Sequence, residues 1–164
     1  MKTLYLVGGT MGVGKTTVCR LLKNQLDRSV FLDGDWCWDM HPFQVTPETK
    51  TMVMDNICDL LGRFLGCSAY EHVIFAWVMH QQSIIDTILS RLDRSGFELK
   101  NISLVCDEQA LIQRLQADVD AGLRKPDCIA RSVARLPLYQ SLNTVKINVS
   151  RLTAAQTAER IRAL

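Results

Sequence analysis

Long hydrophobic runs are missing from this chain of 164 residues. The apolar run before the first glycines covers only Leu4–Val7, which is too short for a signal-peptide core or a membrane span. No other segment reaches the roughly 18 consecutive apolar residues that identify a membrane helix. We therefore expect a soluble protein without a membrane partner.

An excess of charge of either sign is also missing. Lysine and arginine number 19 and aspartate and glutamate 17, so the formal net charge is only +2. Proteins dedicated to nucleic acids usually carry a strong basic patch, so we do not expect a nucleic-acid partner. Hydrophobic residues make up 48% of the chain, which excludes an intrinsically disordered protein.

Paired cysteine motifs and flexible linkers are absent as well. The six cysteines form no C-x-x-C pair and no zinc-ligand spacing, so we interpret them as reduced thiols of a cytoplasmic protein. No Pro- or Ser-rich linker divides the chain, and its length fits one domain. Residues 1–164 are therefore predicted to form a single domain. The sequence leaves the oligomeric state open.

Short apolar segments alternate with longer amphipathic ones along the chain. The short ones are predicted strands, at Thr3–Gly8, Val30–Leu32, His72–Val78, Leu99–Val105 and Thr144–Val149. The longer ones have helical periodicity and lie at 15–26, 47–66, 83–92, 108–119, 129–142 with an interruption at Pro137, and 153–164. This alternation favours a parallel sheet covered on both faces. We predict an α/β fold, a three-layer α/β/α sandwich around a five-stranded parallel sheet.

Residues 9–16, GTMGVGKT, match the phosphate-binding pattern G-x-x-x-x-G-K-[ST] at every position. A predicted strand precedes them and a predicted helix follows, as the pattern requires. The N–H groups of such a turn converge on an anion, Lys15 reaches the β- and γ-phosphates, and the Thr16 hydroxyl binds Mg²⁺. The residues expected to bind the nucleotide here are Gly9, Thr10, Met11, Gly12, Val13, Gly14, Lys15, Thr16 and Thr17.

An acid pair, Asp33 and Asp35, follows the second predicted strand with Gly34 between its members. The carboxyl ends of parallel strands meet at one edge of the sheet, so the pair is expected beside the phosphate loop. One carboxylate can hold Mg²⁺ and the other can accept the proton of an attacking hydroxyl. The third strand ends without a carboxylate, which leaves Asp33 as the acidic partner of the metal and favours a small phosphotransferase.

With these two motifs the sequence resembles the P-loop kinases of small molecules and nucleotides, which include shikimate, gluconate and adenylylsulfate kinases and chloramphenicol phosphotransferase. The D-G-D form of the acid pair is similar to that of adenylylsulfate kinase. The resemblance covers the whole chain and implies the P-loop nucleoside triphosphate hydrolase/kinase fold with a short lid, ATP as phosphate donor and Mg²⁺ as cofactor. It also implies that Asp33 serves the metal and Asp35 the acceptor hydroxyl.

The resemblance further implies a basic lid over the phosphates, here at about residues 120–136. Such a lid excludes water and stabilises the charge that spreads over the transferred group. Arg124 is the preferred catalytic arginine, and Arg131, the second choice, is expected to bind the nucleotide. Arg151, after the last strand, is expected to stack on the adenine.

Aromatic and polar residues beyond the acid pair and the third strand are candidates for an acceptor pocket. We expect Trp36, Trp38, His41 and Phe43, which follow the acid pair, to line it together with Asp35. Trp77 and His80, after the third strand, are expected to face the same region. The alternative for the aromatic residues is a hydrophobic patch that anchors the next helix. The glycine triplet of shikimate kinase is absent after the third strand, so the acceptor is not inferred from that enzyme.

The main functional hypothesis is an ATP- and Mg²⁺-dependent kinase that moves the γ-phosphate to a hydroxyl of a small molecule or nucleotide. Lys15, Asp35 and Arg124 are its expected catalytic residues. The alternative is an ATP-binding regulatory module, or an ATPase without a dedicated acceptor. The acid pair favours the kinase, because a switch needs no proton acceptor beside the γ-phosphate. The identity of the acceptor and the choice between ATP and GTP stay open.

Overall fold

The computed structural model describes all 164 residues, with five strands and six α-helices. The strands are β1 (Lys2–Gly8), β2 (Ser29–Asp33), β3 (His72–Ala76), β4 (Phe97–Val105) and β5 (Val145–Asn148). The helices are α1 (Lys15–Gln25), α2 (Pro47–Gly66), α3 (Gln82–Ser90), α4 (Glu108–Asp120), α5 (Cys128–Arg135) and α6 (Ala154–Arg162). Short 3-10 helices cover Gly34–Trp38, Arg94–Gly96 and Leu136–Ser141. No helix combines the length and the apolar character that crossing a membrane requires.

All five strands are parallel and lie in the order β2-β3-β1-β4-β5. The central strand β1 pairs with β3 on one side and β4 on the other. The helix after β1 packs on one face of the sheet and the helix after the adjacent strand β3 packs on the other, so the switch point of the topology lies between these two strands. In open parallel sheets, ligands bind beyond the carboxyl ends of the strands at such a switch point. The phosphate loop, which follows β1, lies at this point.

Two apolar clusters cover the two faces of the sheet. One contains buried residues of α1, α4, α5 and α6, such as Leu22, Leu115 and Ile161. The other contains buried residues of α2 and α3, such as Ile57 and Ile88. Each strand of a sheet buried on both faces carries apolar side chains in both directions. The prediction of a three-layer α/β/α sandwich with a five-stranded parallel sheet is confirmed.

Two element boundaries differ from the sequence prediction. The helix predicted over 129–142 ends at Arg135 and continues as the 3-10 helix that contains Pro137, because proline supplies no N–H for an α-helical hydrogen bond. The third strand ends at Ala76 instead of Val78. Beyond it Met79 adopts a left-handed conformation, with φ of 39°, which no strand residue has.

Candidate active site

A cavity of about 810 Å³ opens at the carboxyl edge of the sheet. Its walls come from the phosphate loop, the segment after β2, the loop after β3 and the region from α4 to α5. The sequence places these segments far apart, and the parallel sheet brings their ends together. The predicted residues that line the cavity are Met11, Gly12, Gly14, Lys15, Thr16, Thr17, Asp35, Trp36, Trp38, Phe43, Trp77, His80 and Arg124.

The phosphate loop depends on glycines with positive φ. Gly12 has φ of 87°, and a Cβ there would lie 2.5 Å from Cδ2 of Leu115 in α4. Gly14 has φ of 101° and precedes α1 without a capping side chain. The first N–H groups of α1 are therefore left for a ligand, and a helix N-terminus favours an anion. The glycine turn and these free N–H groups fit a phosphate chain.

Hydrogen bonds of two buried hydroxyl groups join the phosphate loop to α5. The Thr10 hydroxyl donates to the Ser132 carbonyl at 2.7 Å and lies 2.9 Å from Ser132 Oγ. Ser132 Oγ donates to the Met11 carbonyl at 2.5 Å. Thr10 and Ser132 are both almost fully buried. These bonds fix the position of the loop relative to α5, which lies within the segment predicted as the lid, and the sequence pattern did not indicate Ser132.

The Lys15 ammonium group lies at the floor of the cavity and donates to the Thr10 carbonyl at 3.0 Å. Burial lowers its pKa to about 8, because a desolvated site disfavours the charged form. The Asp35 and Asp33 carboxylates oppose this effect, and the Arg124 guanidinium adds to it. An anionic phosphate bound in the loop would offset the desolvation.

Thr16 and Asp33 form the candidate magnesium site. The Thr16 hydroxyl donates to Oδ2 of Asp33 at 2.6 Å, and the Asp35 N–H donates to Oδ1 of Asp33 at 3.0 Å. The Asp33 side chain is buried, so its orientation is fixed by these two donors. Hydroxyl and carboxylate oxygens are the donors Mg²⁺ prefers, with phosphate oxygens completing its shell. The residues present therefore fit a nucleotide-bound magnesium ion.

Asp35 faces the cavity beside Lys15 and Arg124. Burial and the neighbouring Asp33 carboxylate raise the pKa of its carboxyl group, while Lys15, Arg124 and the Trp77 side chain lower it. A carboxylate with a raised pKa is a better proton acceptor than an ordinary aspartate. Asp35 lines the cavity, and its role as proton acceptor stays a prediction.

The acceptor side of the cavity contains Trp36, Trp77 and His80, as predicted. Gly34 makes the approach of Trp77 possible, since a Cβ on Gly34 would lie 2.5 Å from Cγ of Trp77. Trp38 and Phe43, which were also predicted for the acceptor pocket, line the cavity, whereas His41, predicted with them, does not. Asp39, Met79 and Ile84 line it without having been predicted. Asp39 lies within the predicted aromatic segment, and this closeness is the signal that could identify it.

The loop after β3 is held in a strained turn. The Val78 carbonyl accepts hydrogen bonds from the Gly9 N–H at 3.3 Å and from the Tyr139 hydroxyl at 2.6 Å. Met79 then takes a left-handed conformation that costs a non-glycine residue free energy. This turn places His80 in the cavity wall with its Nδ1 buried and unpaired. Burial and the Arg135 guanidinium lower the pKa of His80.

The predicted basic residues divide into two groups. Arg124 lines the cavity and its Nε donates to Oδ2 of Asp118 at 2.9 Å. Arg131 and Arg151 are exposed and do not line the cavity, so their contact with a nucleotide stays a prediction. Arg135, which was not selected, does line it. Its position one helical turn after Arg131 is the only sequence signal for it.

Comparison with known proteins agrees with this architecture. The family model described as AAA domain (AAA_18) matches residues 6–125. No curated protein sequence matches significantly. Among solved structures, a gluconokinase from Sinorhizobium meliloti is similar with a TM-score of 0.70 and 18% identity, over 98% of this chain and 90% of that one.

Two further solved structures have the same fold. The tunicamycin resistance protein of Deinococcus radiodurans has a TM-score of 0.72 and 18% identity, over 99% of this chain and 95% of that one. A shikimate kinase from Acinetobacter baumannii, in complex with shikimate, has a TM-score of 0.60 and 21% identity, over 99% of this chain and 91% of that one. The resemblance that the phosphate loop and the acid pair predicted is confirmed: the chain belongs to the AAA domain family AAA_18 and has the fold of the P-loop kinases.

Proposed function

We propose that this protein is a kinase that transfers the γ-phosphate of ATP, with Mg²⁺, to a hydroxyl of a small molecule or nucleotide. One observation carries the proposal: a single cavity joins the phosphate loop, Asp35 of the acid pair and a wall of aromatic side chains. The phosphate loop serves a phosphate donor, and the aromatic wall offers space for a second substrate. The kinase names of the gluconate and shikimate enzymes with the same fold support this proposal.

The donor half of the reaction depends on the phosphate loop. The loop and the N-terminus of α1 bind the phosphates, while the Lys15 ammonium group, at the cavity floor, moves from the Thr10 carbonyl to the phosphate oxygens. Thr16 and Asp33 hold Mg²⁺, which neutralises charge on the phosphates when bound. Arg124, which also lines the cavity, stabilises the negative charge that develops on the transferred group.

The acceptor half depends on Asp35. Its carboxylate accepts the proton of the attacking hydroxyl, and its raised pKa makes it a more effective base. Lys15 lies close enough to influence the charge of Asp35, so the base lies next to the residue that binds the γ-phosphate. This closeness is what an in-line attack on that phosphate requires. Arg124 extends from the segment at 120–136, which we propose acts as the lid.

The cavity also distinguishes the kinase from a regulatory module or an ATPase without an acceptor. An ATPase that transfers phosphate only to water needs little room for an acceptor. A regulatory module needs no proton acceptor. Beyond Asp35 the cavity continues between Trp36, Trp77 and His80. A wall of this kind supports a second substrate.

The proposal is tested by ADP release with ATP, Mg²⁺ and a panel of alcohols, each compared with a reaction that lacks the acceptor. An acceptor must raise ADP release above the rate with water alone, and the phosphorylated product must appear by mass spectrometry. Lys15→Ala is expected to abolish transfer, while Arg20→Ala, which removes an exposed basic side chain from the same helix, is expected to leave it unchanged. Transfer that survives in Lys15→Ala would contradict the proposal.

A further inference from the structure

We propose that the acceptor is an alcohol carried on a planar aromatic or heteroaromatic ring, and that the three tryptophans Trp36, Trp38 and Trp77 bind that ring. The inference deepens the proposed kinase function and rests on it. It names the chemical class of the second substrate, which the fold alone leaves undetermined because the same fold accommodates different acceptors.

The placement of the tryptophans is the first argument. The chain has only three tryptophans, and all three line the cavity that Asp35 also lines. They come from two separate segments, one after β2 and one after β3. Indole rings supply a large, flat contact area with little conformational freedom to lose on binding. A cavity that receives every tryptophan of the chain is suited to a flat ring.

The rigidity of these rings is the second argument. Each indole contacts the ring of a phenylalanine, so its orientation is set before a ligand arrives. Side chains held in place in this way lose less entropy on binding. The distances between ring centroids are 5.3 Å for Trp36 and Phe31, 5.8 Å for Trp38 and Phe43, and 6.3 Å for Trp77 and Phe75.

The exposure of the aromatic wall is the third argument. Trp36 is 49% exposed and Phe43 is 66% exposed, although both line the cavity. A large exposed apolar patch marks a binding site more often than an isolated apolar residue does. This patch is continuous with the cavity at Asp35, so the molecule that covers it is the acceptor itself. A ring lying against Trp36 would cover the exposed surface.

The scarcity of polar side chains on this wall is the fourth argument. Outside the phosphate loop and Asp35, the polar side chains that line the cavity are Asp39, His80, Asp118, Arg124 and Arg135. Arg124 pairs with Asp118 and is assigned to the phosphate, so Asp39, His80 and Arg135 remain for the acceptor, against the apolar side chains of three tryptophans, Phe43, Met79 and Ile84. An open-chain polyol has several hydroxyl groups, and each one left without a partner weakens binding. An aromatic ring with one or two polar substituents needs only the few partners that are present.

His80 supplies one of these polar contacts. Its Nδ1 is buried without a partner. A hydrogen on Nδ1 would therefore be a buried, unpaired donor, so the neutral tautomer with its hydrogen on Nε2 is favoured. The imidazole then donates from Nε2 to an oxygen of the acceptor. A single directional bond of this kind fixes the orientation of a ring that the indoles bind by stacking.

Two acceptor sets test the proposal. The aromatic set is pyridoxine, uridine and 4-(2-hydroxyethyl)phenol, and the non-aromatic set is D-gluconate, D-glucose, glycerol and shikimate. The measurements are kcat/KM from ADP release and equilibrium binding by calorimetry with a nonhydrolysable ATP analogue present. At least one aromatic alcohol is expected to exceed every non-aromatic alcohol by about tenfold, the effect of stacking on one or more indoles.

Variants of one tryptophan separate stacking from folding. Trp36→Leu is expected to raise KM for the preferred aromatic acceptor by about tenfold, and Trp36→Phe is expected to restore most of the affinity. Tyr70→Leu is the control, because it removes an aromatic ring that packs on Phe64 outside the cavity. It is expected to leave KM unchanged. Thermal denaturation of all three variants shows that they are folded.

The outcomes distinguish this inference from the kinase function. Transfer to D-gluconate or shikimate in preference to every aromatic alcohol would overturn the inference and leave the kinase function standing. Aromatic alcohols that bind by calorimetry but are never phosphorylated would support the inference and contradict the kinase function. An equal KM for the aromatic acceptor in Trp36→Leu and in the unaltered protein would overturn the inference. It would also be overturned if neither the aromatic nor the non-aromatic alcohols bind.

Discussion

The Thr16 hydroxyl donates a 2.6 Å hydrogen bond to the Asp33 carboxylate, and this bond joins the start of α1 to the end of β2. The second oxygen of Asp33 accepts from the Asp35 N–H, so one buried carboxylate orients both the candidate magnesium ligand and the candidate base. The two acids differ in their surroundings, and we propose different tasks for them. Asp33 is fixed by protein donors, whereas Asp35 points into the cavity.

The first prediction concerns Asp33. Asp33→Asn removes the negative charge but keeps an oxygen that can accept from the Asp35 N–H, while its amide NH2 can donate to the Thr16 hydroxyl. The fold is therefore expected to be retained. The Mg²⁺ concentration for half-maximal activity is expected to rise about 10- to 100-fold. Titration of activity with Mg²⁺ measures this shift, with Asp27→Asn, an exposed aspartate after α1, as control. An unchanged Mg²⁺ requirement would show that the metal is held elsewhere.

The second prediction concerns Asp35 as the base. Asp35→Asn removes the proton acceptor, and kcat for transfer is expected to fall about 10²- to 10⁴-fold. KM for ATP is expected to change little, because the phosphate loop binds the nucleotide. Steady-state kinetics with both substrates separates the two effects. A large rise in KM for ATP with an unchanged kcat would instead assign Asp35 to the metal.

The third prediction concerns the charge of Lys15. Burial lowers its pKa to about 8 in the free protein, so part of the population is neutral at that pH, whereas a bound phosphate favours the charged form. Binding of a nonhydrolysable ATP analogue is therefore expected to take up protons near pH 8 and to weaken as the pH rises further. Calorimetry without Mg²⁺ in two buffers of different ionisation enthalpy measures the uptake.

Lys15→Met is the matched control, since its side chain is of similar length and does not titrate. Proton uptake near pH 8 is expected to disappear in this variant, together with much of the affinity. Equal uptake in both proteins would assign the titration to another group.

The sequence was sufficient to place the phosphate loop beside the acid pair, because each of these motifs is encoded by neighbouring residues. It was not sufficient for Arg131 and Arg151, which do not line the cavity. The phosphate loop and the D-G-D segment each lie at the end of a strand, and a parallel sheet brings such ends together. Thr46 and Pro47 likewise marked the start of α2 correctly, because a helix cap depends on adjacent residues.

The acceptor half depends on contacts between distant residues, and the sequence showed it only in part. Met79 is left-handed because the Val78 carbonyl is held by Gly9 and Tyr139, and no local pattern encodes these partners. Arg135 reaches the cavity from α5, whose position is fixed by the bonds of Ser132 to the phosphate loop. Helix periodicity does not reveal such an orientation.

The fourth prediction concerns Arg124 and its ion pair with Asp118. Arg124→Ala is expected to lower kcat about a hundredfold or more, because charge on the transferred phosphoryl group loses its cation. Asp118→Ala keeps that cation and is expected to change kcat less than tenfold, since the pair is partly exposed. Lys125→Ala, an exposed lysine next to Arg124, is the control. Equal losses in Arg124→Ala and Lys125→Ala would contradict a specific role for Arg124.

The fifth prediction concerns the buried link between Ser132 and the phosphate loop. Ser132→Ala removes the donor to the Met11 carbonyl, which lowers the free energy of unfolding by about 1–3 kcal/mol and loosens the loop that binds the phosphates. Affinity for a nonhydrolysable ATP analogue is therefore expected to fall about tenfold. In Ser141→Ala, whose hydroxyl is exposed and donates only to Leu138, both quantities should be unchanged. A double-mutant cycle of Ser132→Ala with Thr10→Val should show a coupling of about 0.5–3 kcal/mol in the free energy of unfolding. Strictly additive losses of stability would mean that the two hydroxyl groups act independently.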